Sequence, residues 1–248
     1  GCVGVDGDTV TFFKFRNFHW RQDGSATERW ETRTVRLSNL VAVDYVQDNF
    51  GGDTWAHPMM SFDFGEDGMV AMSIEARREV GEQFSGLAGL YKTFELQYIF
   101  ADERDIILTR TNVRKEPVYI YRTAFSPEGA RQFFLESVAA QNALHEKPRF
   151  YDAVRANCAT SLRQQTPKSR RRALDPRMLM NGRLDEMLCE LGQLQTGGIP
   201  FAELRPQMLI NTAAEAAHDD PSFSQRIRAG RPGFGLAGKR LKEAQNHK

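Results

Sequence analysis

Two alternating segments joined by a short glycine-containing turn constrain the fold of this chain more than any other feature. The apolar residues of each segment share one face of an extended chain: Met60, Phe62 and Phe64 in the first, and Val70, Met72 and Ile74 in the second. Such alternation predicts a half-buried β-hairpin. With Glu66-Asp67-Gly68 as a three-residue loop and Gly68 left-handed, the register pairs Phe62 with Met72 and Met59 with Glu75.

This predicted register brings two titratable side chains near each other. His57 begins the first strand and lies diagonal to Glu75, on the face opposite the apolar stripe. Diagonal neighbours are about 7–8 Å apart, which long side chains can bridge. The pattern therefore predicts an imidazole–carboxylate pair. A structural, half-buried histidine beside a solvated glutamate fits the same pattern.

Strand-like segments precede helix-like segments along the chain. Strand character is found at residues 5–20, 31–37, 40–46, 95–100, 106–111 and 118–122, and helices are predicted at 126–145, 158–166, 175–191, 201–204 and 211–217. This order predicts an α+β fold in which an antiparallel sheet packs against helices. We predict one domain over residues 1–166 and a helical extension over 167–248 packed on the same domain, with a loose tail from about residue 230.

Cys158 follows Asn157 and precedes small, helix-forming residues, so it is predicted to lie in the first turn of a helix. The unpaired N–H groups and the dipole at that position favour a thiolate, which is a stronger nucleophile than a thiol. The alternative is a small buried cysteine without chemistry. Cys189 lies among core positions of a predicted helix and is interpreted as structural.

Composition excludes several functional classes. The chain has 248 residues, 41% hydrophobic and 26% charged, with a formal net charge of +1. Such balance is typical of a globular domain and predicts no general attraction to nucleic acid. The basic run Lys168–Arg172 fits either a nucleic-acid patch or, as we prefer, a loop that contacts anionic lipid headgroups. No stretch approaches the ~20 apolar residues of a membrane span.

The cysteines and histidines show no pattern typical of a disulfide framework or a metal site. Three cysteines are too few and too scattered for such a framework. His145, His218 and His247 each stand alone in the sequence, so we predict no metal and no cofactor. Cys2 fits either a lipoprotein processing site or a remnant of cloning.

Many short segments, in order along nearly the whole chain, resemble the Lnb N-terminal periplasmic domain family of bacterial envelope proteins. These include Arg16-Asn17-Phe18, Ala56-His57, Ser73-Ile74-Glu75, Arg110-Thr111-Asn112, Phe150-Tyr151, Asn157-Cys158 and Asn181-Gly182-Arg183. The order of His57 before Cys158 also resembles circularly permuted papain-like enzymes of the NlpC type. Two departures from the family pattern are Ala156, where relatives have a second Asn, and Ala159, where they have Thr.

The resemblance implies a permuted papain-like fold and a cysteine-dependent acyltransferase. Cys158 would be the nucleophile, His57 the base and Glu75 the group that orients it, with Asn157, Ser73 and Tyr151 supporting the substrate or oxyanion. A phospholipid would donate the acyl chain and the N-terminal amine of a lipoprotein would accept it. The implied location is the periplasm, at a membrane surface, with an anchoring segment before residue 1. A thiol peptidase or amidase acting on cell-wall peptide, and a non-catalytic binding module, remain alternatives.

Overall fold

The computed structural model of the chain describes residues 2–21, 23–77, 95–148 and 175–235. The strands in these ranges are β1 (Val3–Asp6), β2 (Thr9–Arg16), β3 (His19–Trp20), β4 (Ala26–Thr27), β5 (Trp30–Arg36), β6 (Ala42–Gly51), β7 (Trp55–Asp63), β8 (Met69–Arg77), β9 (Glu95–Asp102) and β10 (Val118–Arg122). The helices are α1 (Glu103–Leu108), α2 (Pro127–Glu146), α3 (Leu184–Glu190), α4 (Phe201–Gln207), α5 (Asn211–Ala216) and α6 (Phe223–Arg226). The described part of the chain is therefore mixed, with strands first and most helices later.

Eight of these strands form one sheet in the order β1-β2-β9-β8-β7-β6-β10, and β5 pairs with β2. All pairings are antiparallel except a parallel contact of β2 with β9, where Arg16 pairs with Ala101. Strands β3 and β4 form a separate ribbon. The predicted mostly antiparallel sheet with packed helices is confirmed. The predicted helix at 158–166 and the boundary between 166 and 167 lie outside the described residues.

One face of the sheet is apolar and aromatic, and the long helix α2 covers it. Ser126 caps this helix by accepting a hydrogen bond from the Gly129 N–H, and Pro127 occupies its first turn, as the sequence predicts. Phe134 of the helix meets Phe62 of β7 at a ring separation of 5.0 Å and Phe64 at 5.1 Å. All three rings are completely buried, so this face forms the larger hydrophobic core.

The opposite face mixes small apolar residues with buried charges. Its apolar part joins Val46, Met59 and Ala71 of the sheet to α1, α5 and α6. Its polar part contains Asp44, Asp48, Ser61 and Ser73, all of them buried. Buried polar side chains need partners, so this face has to be organised by specific hydrogen bonds. His57 lies on it.

The predicted register between β7 and β8 is wrong by two residues. The structure pairs Phe62 with Val70 and Met59 with Ser73, rather than Phe62 with Met72 and Met59 with Glu75. The connection is longer than predicted: a 3-10 turn (Gly65–Asp67) with Gly65 at φ 57° and Gly68 at φ 88°. A shift of two residues leaves every side chain on its predicted face, because the side-chain period of a strand is two.

Two predicted elements of the chain have a different structure. Residues 106–111, predicted as a strand, belong to α1 and to a π-helical turn over Thr109–Val113. The predicted helix from 175 to 191 is broken into two 3-10 turns (Pro176–Met178 and Asn181–Arg183) before α3. The short apolar run at 106–111 fits a strand and a buried helix equally well. Between 175 and 191, tertiary contacts of the turn Asn181–Arg183, described below, override helix propensity.

Candidate active site

His57 lies in β7, directly after the hairpin that links β6 to β7. Its register partner in β6 is Asp48. Because side chains alternate along a strand, His57 shares its face with Ser73 and Glu75 of the neighbouring strand β8. Burial, together with the positive charge of Arg110, lowers the pKa of the His57 imidazole to about 3. The ring is therefore neutral at neutral pH.

Ser73 links His57 to Glu75. The Ser73 hydroxyl donates a hydrogen bond to Glu75 Oε1 over 2.9 Å, and its oxygen lies 2.7 Å from His57 Nε2. Because the single hydroxyl hydrogen is used on Glu75, the oxygen has to accept from a protonated Nε2. This arrangement leaves the lone pair of the neutral ring on Nδ1. It also means that Ser73, predicted to support substrate or oxyanion, has no hydrogen left for an oxyanion.

Glu75 is held in its charged form by the groups around it. Burial alone would raise the pKa of its carboxyl, but Arg110, His57 and the Ser73 hydroxyl outweigh burial and lower it to about 2. Arg110 donates to Glu75 Oε1 over 2.8 Å and to the carbonyl of Ile106 over 3.0 Å. His57, Ser73, Glu75 and Arg110 thus form one continuous chain of polar contacts. Glu75 orients His57 through a serine rather than directly.

Arg110 is aimed at the sheet by the π-helical turn. The N–H of Arg114 donates to the carbonyl of Thr109 over 3.0 Å, which closes the wider turn. Single π turns inside helices are often found at functional sites. Arg110 also places its Nε 3.4 Å from Asp48 Oδ2. The Arg110 guanidinium therefore contacts the carboxyl groups of both Glu75 and Asp48, which lie on the strands on either side of His57.

Asp48 is unusual among the buried carboxyl groups of this site. Its burial, and then a hydrogen bond and charge repulsion from Glu116, raise its pKa to about 8, although Arg110 opposes the shift. Among the described residues, Asp48 Oδ1 and Glu116 Oε2 are buried atoms with no direct hydrogen-bond partner. A proton shared between the two carboxyl groups would account for both observations. Burial and Glu116 thus favour a protonated form of this pair, whereas Glu75 is held ionised.

The turn at Asn181 and Gly182 holds the β6–β7 hairpin in place. Asn181 accepts a hydrogen bond from the backbone N–H of Ala56, the residue before His57, over 2.8 Å. The Gly182 carbonyl accepts from the side chains of Gln47 and Asn49. A Cβ on Gly182 would lie 2.3 Å from the backbone carbon of Asp53. The hairpin and this turn are in backbone contact, which leaves no room for another side chain.

A comparison with known protein families identifies the chain. The model of the Lnb N-terminal periplasmic domain matches residues 26–182, which is more than half of the sequence. The chain belongs to this family. The resemblance noted in the sequence is thereby confirmed, and the family is that of a periplasmic domain. No curated protein and no solved structure matches the chain significantly.

The span matched by the Lnb family includes the whole polar chain around His57 and also Cys158. Cys158, Asn157 and Tyr151 lie outside the described residues, as does the basic run Lys168–Arg172. Within the described ranges, no helix is both long and apolar enough to cross a membrane. Cys189 is half-buried, and burial raises the pKa of its thiol, which disfavours the thiolate.

Sequence reasoning did not identify Asp48 and Arg110 as parts of the site. Arg110 was included in the resemblance to the family, but the predicted strand at 106–111 gave it no defined direction. Asp48 lies beyond the predicted end of its strand at residue 46, whereas β6 continues to Gly51. A buried arginine requires a carboxylate partner. A core helix over residues 103–113, rather than a strand, is therefore the signal that would place Arg110 beside the carboxyl groups of the sheet.

A second buried charge cluster on the same face has a structural explanation. Arg228, just after the end of α6, donates to Asp44 over 2.8 Å and to both oxygens of Glu103, which also accepts from Ser61 over 2.5 Å. Arg122 lies beside Asp44 at 2.8 Å. These contacts connect α1 and the segment after α6 to β6, β7 and β10. The cluster satisfies the buried charges that the small apolar core leaves on this face.

Proposed function

We propose that this domain is a cysteine-dependent acyltransferase of the bacterial envelope, with Cys158 as nucleophile and His57 as its base. The observation that carries the proposal is the hydrogen-bonded series from His57 through Ser73 to Glu75. It holds a neutral imidazole in one tautomer, with Nδ1 as the basic atom. In the family pattern that this sequence follows, the matching cysteine is Cys158.

The first half-reaction moves the acyl chain to the enzyme. His57 Nδ1 takes the thiol proton as the sulfur of Cys158 attacks the ester carbonyl of a phospholipid. A C–S bond forms, the ester C–O bond breaks, and the lysophospholipid leaves with the proton from His57. The backbone N–H of Cys158 and the side chain of Asn157 are proposed to hold the oxyanion, beside Tyr151.

The second half-reaction moves the acyl chain from the thioester to an amine. The neutral amine attacks the thioester carbonyl and loses a proton to His57 Nδ1. The C–S bond breaks and the sulfur regains its proton from His57. The accepting group that the resemblance implies is the N-terminal amine of a lipoprotein.

Glu75 and Arg110 have distinct tasks in this scheme. The charged Glu75 stabilises the imidazolium that forms transiently on His57, acting through the Ser73 hydroxyl. Arg110 holds Glu75 in its ionised form. Burial and Glu116 favour the neutral form of Asp48, which adds no second negative charge beside the ring. Glu75 thus opposes burial and the Arg110 charge, both of which disfavour a protonated His57.

We further propose that the sheet and helices form a permuted papain-like fold that works at a membrane surface. The antiparallel sheet with a catalytic histidine on a central strand, ahead of the cysteine in the sequence, supports this arrangement. A thiol hydrolase would use the same three residues with water as the acceptor. The two activities differ only in which molecule resolves the thioester.

The experiment is a transfer assay in vesicles of phosphatidylethanolamine and phosphatidylglycerol, with a short peptide that carries a free N-terminal amine. Mass spectrometry measures the acylated peptide, free fatty acid and lysophospholipid. A transferase produces acylated peptide and lysophospholipid in equal amounts, whereas a hydrolase produces free fatty acid whether or not the peptide is present. If no lysophospholipid forms above the level of protein-free vesicles, acyl transfer from phospholipid is wrong.

Two pairs of variants serve as matched controls. Cys158→Ala and His57→Gln are expected to abolish the release of lysophospholipid. Cys189→Ala and His145→Gln change the same residue types elsewhere and are expected to retain it. Loss of activity in both members of a pair would show that the effect comes from folding rather than from chemistry.

A further inference from the structure

His19, His218 and Asp219 come together at the junction of β3 with the turn between α5 and α6. His19 Nε2 lies 3.4 Å from Asp219 Oδ1, and His218 Nε2 lies 3.9 Å from the same oxygen. The three atoms all lie within 4.8 Å of one another. In the sequence His19 and His218 are about 200 residues apart, so only the fold reveals this cluster.

The spacing of these atoms suits a metal ion better than it suits a simple ion pair. Two ligands about 2.1 Å from a tetrahedral Zn²⁺ lie roughly 3.4 Å apart. The His19–Asp219 pair already has this separation. The imidazole rings meet edge to face with centroids 5.7 Å apart, so a small rotation of these partly exposed side chains brings both Nε2 atoms toward one point.

Asn112 provides the outer contact that a metal-binding histidine requires. Its side-chain nitrogen lies 3.1 Å from His218 Nδ1, and its side-chain oxygen accepts from the Thr111 hydroxyl over 2.8 Å. That hydroxyl lies 3.0 Å from the carbonyl of Ile107 and has only one hydrogen to donate. In this arrangement Nδ1 accepts and Nε2 carries the ring proton. A 180° turn of the amide exchanges its N and O, so that Thr111 donates to Ile107, the Asn112 NH₂ donates to Thr111 and the Asn112 carbonyl accepts from His218 Nδ1–H. His218 Nε2 then has its lone pair free for a cation.

We propose that His19, His218 and Asp219 bind a divalent transition-metal ion of the Zn²⁺ class, with a water molecule as fourth ligand. Two imidazoles and one carboxylate are a donor set that such ions prefer over Mg²⁺ or Ca²⁺. The ion ties β3 to the turn after α5. Through Asn112 it also fixes the π-helical turn that carries Arg110.

The test is a calorimetric titration of the metal-free full chain with ZnCl₂, in a Cys158→Ala background. That background removes the thiol, so zinc bound by a Cys158–His57 pair is not counted, and the result is independent of the proposed acyl transfer. The expected result is saturable one-to-one binding and a higher melting temperature with zinc. MgCl₂ is expected to give neither effect.

Variants locate the binding site. His19→Ala, His218→Ala and Asp219→Asn are each expected to weaken zinc binding by at least about tenfold. His145→Ala, at an unrelated histidine near the end of α2, is expected to bind like the parent. His19 and Asp219 are partly exposed, so their variants are expected to fold, which circular dichroism checks. Equal affinity in the parent and all three ligand variants, or the absence of one-to-one binding in the parent, overturns the proposal.

Discussion

The imidazole of His57 lies 2.7 Å from the hydroxyl oxygen of Ser73, across the boundary between β7 and β8. The Ser73 hydroxyl donates a hydrogen bond to Glu75, and Arg110 donates a second one to the same carboxylate. The alternating pattern predicts a direct imidazole–carboxylate pair, but the structure inserts a serine between the two groups. The orientation of His57, the proposed base, therefore depends on the Ser73 hydroxyl, which does not itself react in the proposed mechanism.

Replacing Ser73 by Ala is expected to slow acyl transfer while the domain stays folded. The change removes the acceptor of the His57 Nε2–H, so the ring loses both its fixed tautomer and its link to Glu75. Loss of one buried hydrogen bond of about 1–3 kcal/mol in the transition state corresponds to roughly a 5- to 150-fold lower rate. The initial rate of lysophospholipid release measures the effect.

Ser61→Ala is the matched control for Ser73→Ala. Ser61 is also buried in the same sheet and also donates to a carboxylate, Glu103. Its loss is expected to lower stability by a similar amount and to leave the rate per folded molecule unchanged. Equal rate losses in the two variants would contradict the role assigned to Ser73.

Asp48→Asn is expected to change how stability depends on pH. The native Asp48 has a pKa of about 8, compared with an ordinary value of 3.8 in the unfolded chain. Between these values the folded state holds a proton that the unfolded state has lost, so wild-type stability falls as pH rises, by at most about 1.4 kcal/mol per pH unit. Asparagine does not titrate, and its amide can donate to the Glu116 carboxylate.

Urea unfolding of both proteins at pH 5, 6, 7 and 8 measures this effect. The stability of the wild type relative to Asp48→Asn is expected to decrease steadily from pH 5 to pH 8. The low pKa of His57 acts in the opposite direction below about pH 6.5, but it is present in both proteins and cancels in the difference. A difference that does not vary with pH would rule out a protonated Asp48.

Gly182→Ala is expected to destabilise the domain by about 1–3 kcal/mol, or more, because the added Cβ overlaps the backbone of Asp53 and Thr54. It should also slow catalysis, since Asn181 would no longer hold Ala56 beside His57. Gly235→Ala, where a Cβ meets nothing within 4 Å, is the control. Its expected change is within about 0.5 kcal/mol. Similar melting temperatures for the two variants would contradict the tight docking of this turn.

The sequence predicts the layers of the fold and the faces of its strands, but not their register. Alternation of apolar residues determines which side chains share a face, and that prediction is correct for β7 and β8. Register depends on the length of the turn, and here the paired strands end at Asp63 and Met69, on either side of a 3-10 turn. Faces were therefore predictable, whereas the partners of Met59 and Phe62 were not.

The site was predictable only in part, for a similar reason. His57 and Glu75 are neighbours in the hairpin, so the local pattern is enough to group them, whereas Ser73 is indicated only by the family resemblance. Arg110, Asp48 and Asn181 reach the site from other elements, and their contacts arise from tertiary packing. The pairing of His19 with His218 across nearly the whole chain has no local signal at all.

Cys158 is expected to react faster with iodoacetamide than Cys189 at pH 7. Burial raises the pKa of the Cys189 thiol, whereas a helix start and a neighbouring imidazole would favour the Cys158 thiolate. Peptide mapping after brief labelling measures both sites in one sample, and Cys189→Ala confirms the assignment. Slow labelling of Cys158, at the rate of Cys189, would count against an activated thiol.

If Cys158 carries the acyl chain, the intact mass of the protein after incubation with phospholipid vesicles and no amine detects it directly. We expect one added acyl chain that maps to Cys158 and is removed by neutral hydroxylamine, as a thioester is. Cys189→Ala should show the same adduct, and Cys158→Ala should show none. An unmodified wild-type protein that still releases lysophospholipid, or an adduct that persists in Cys158→Ala, would show that Cys158 is not the acyl carrier.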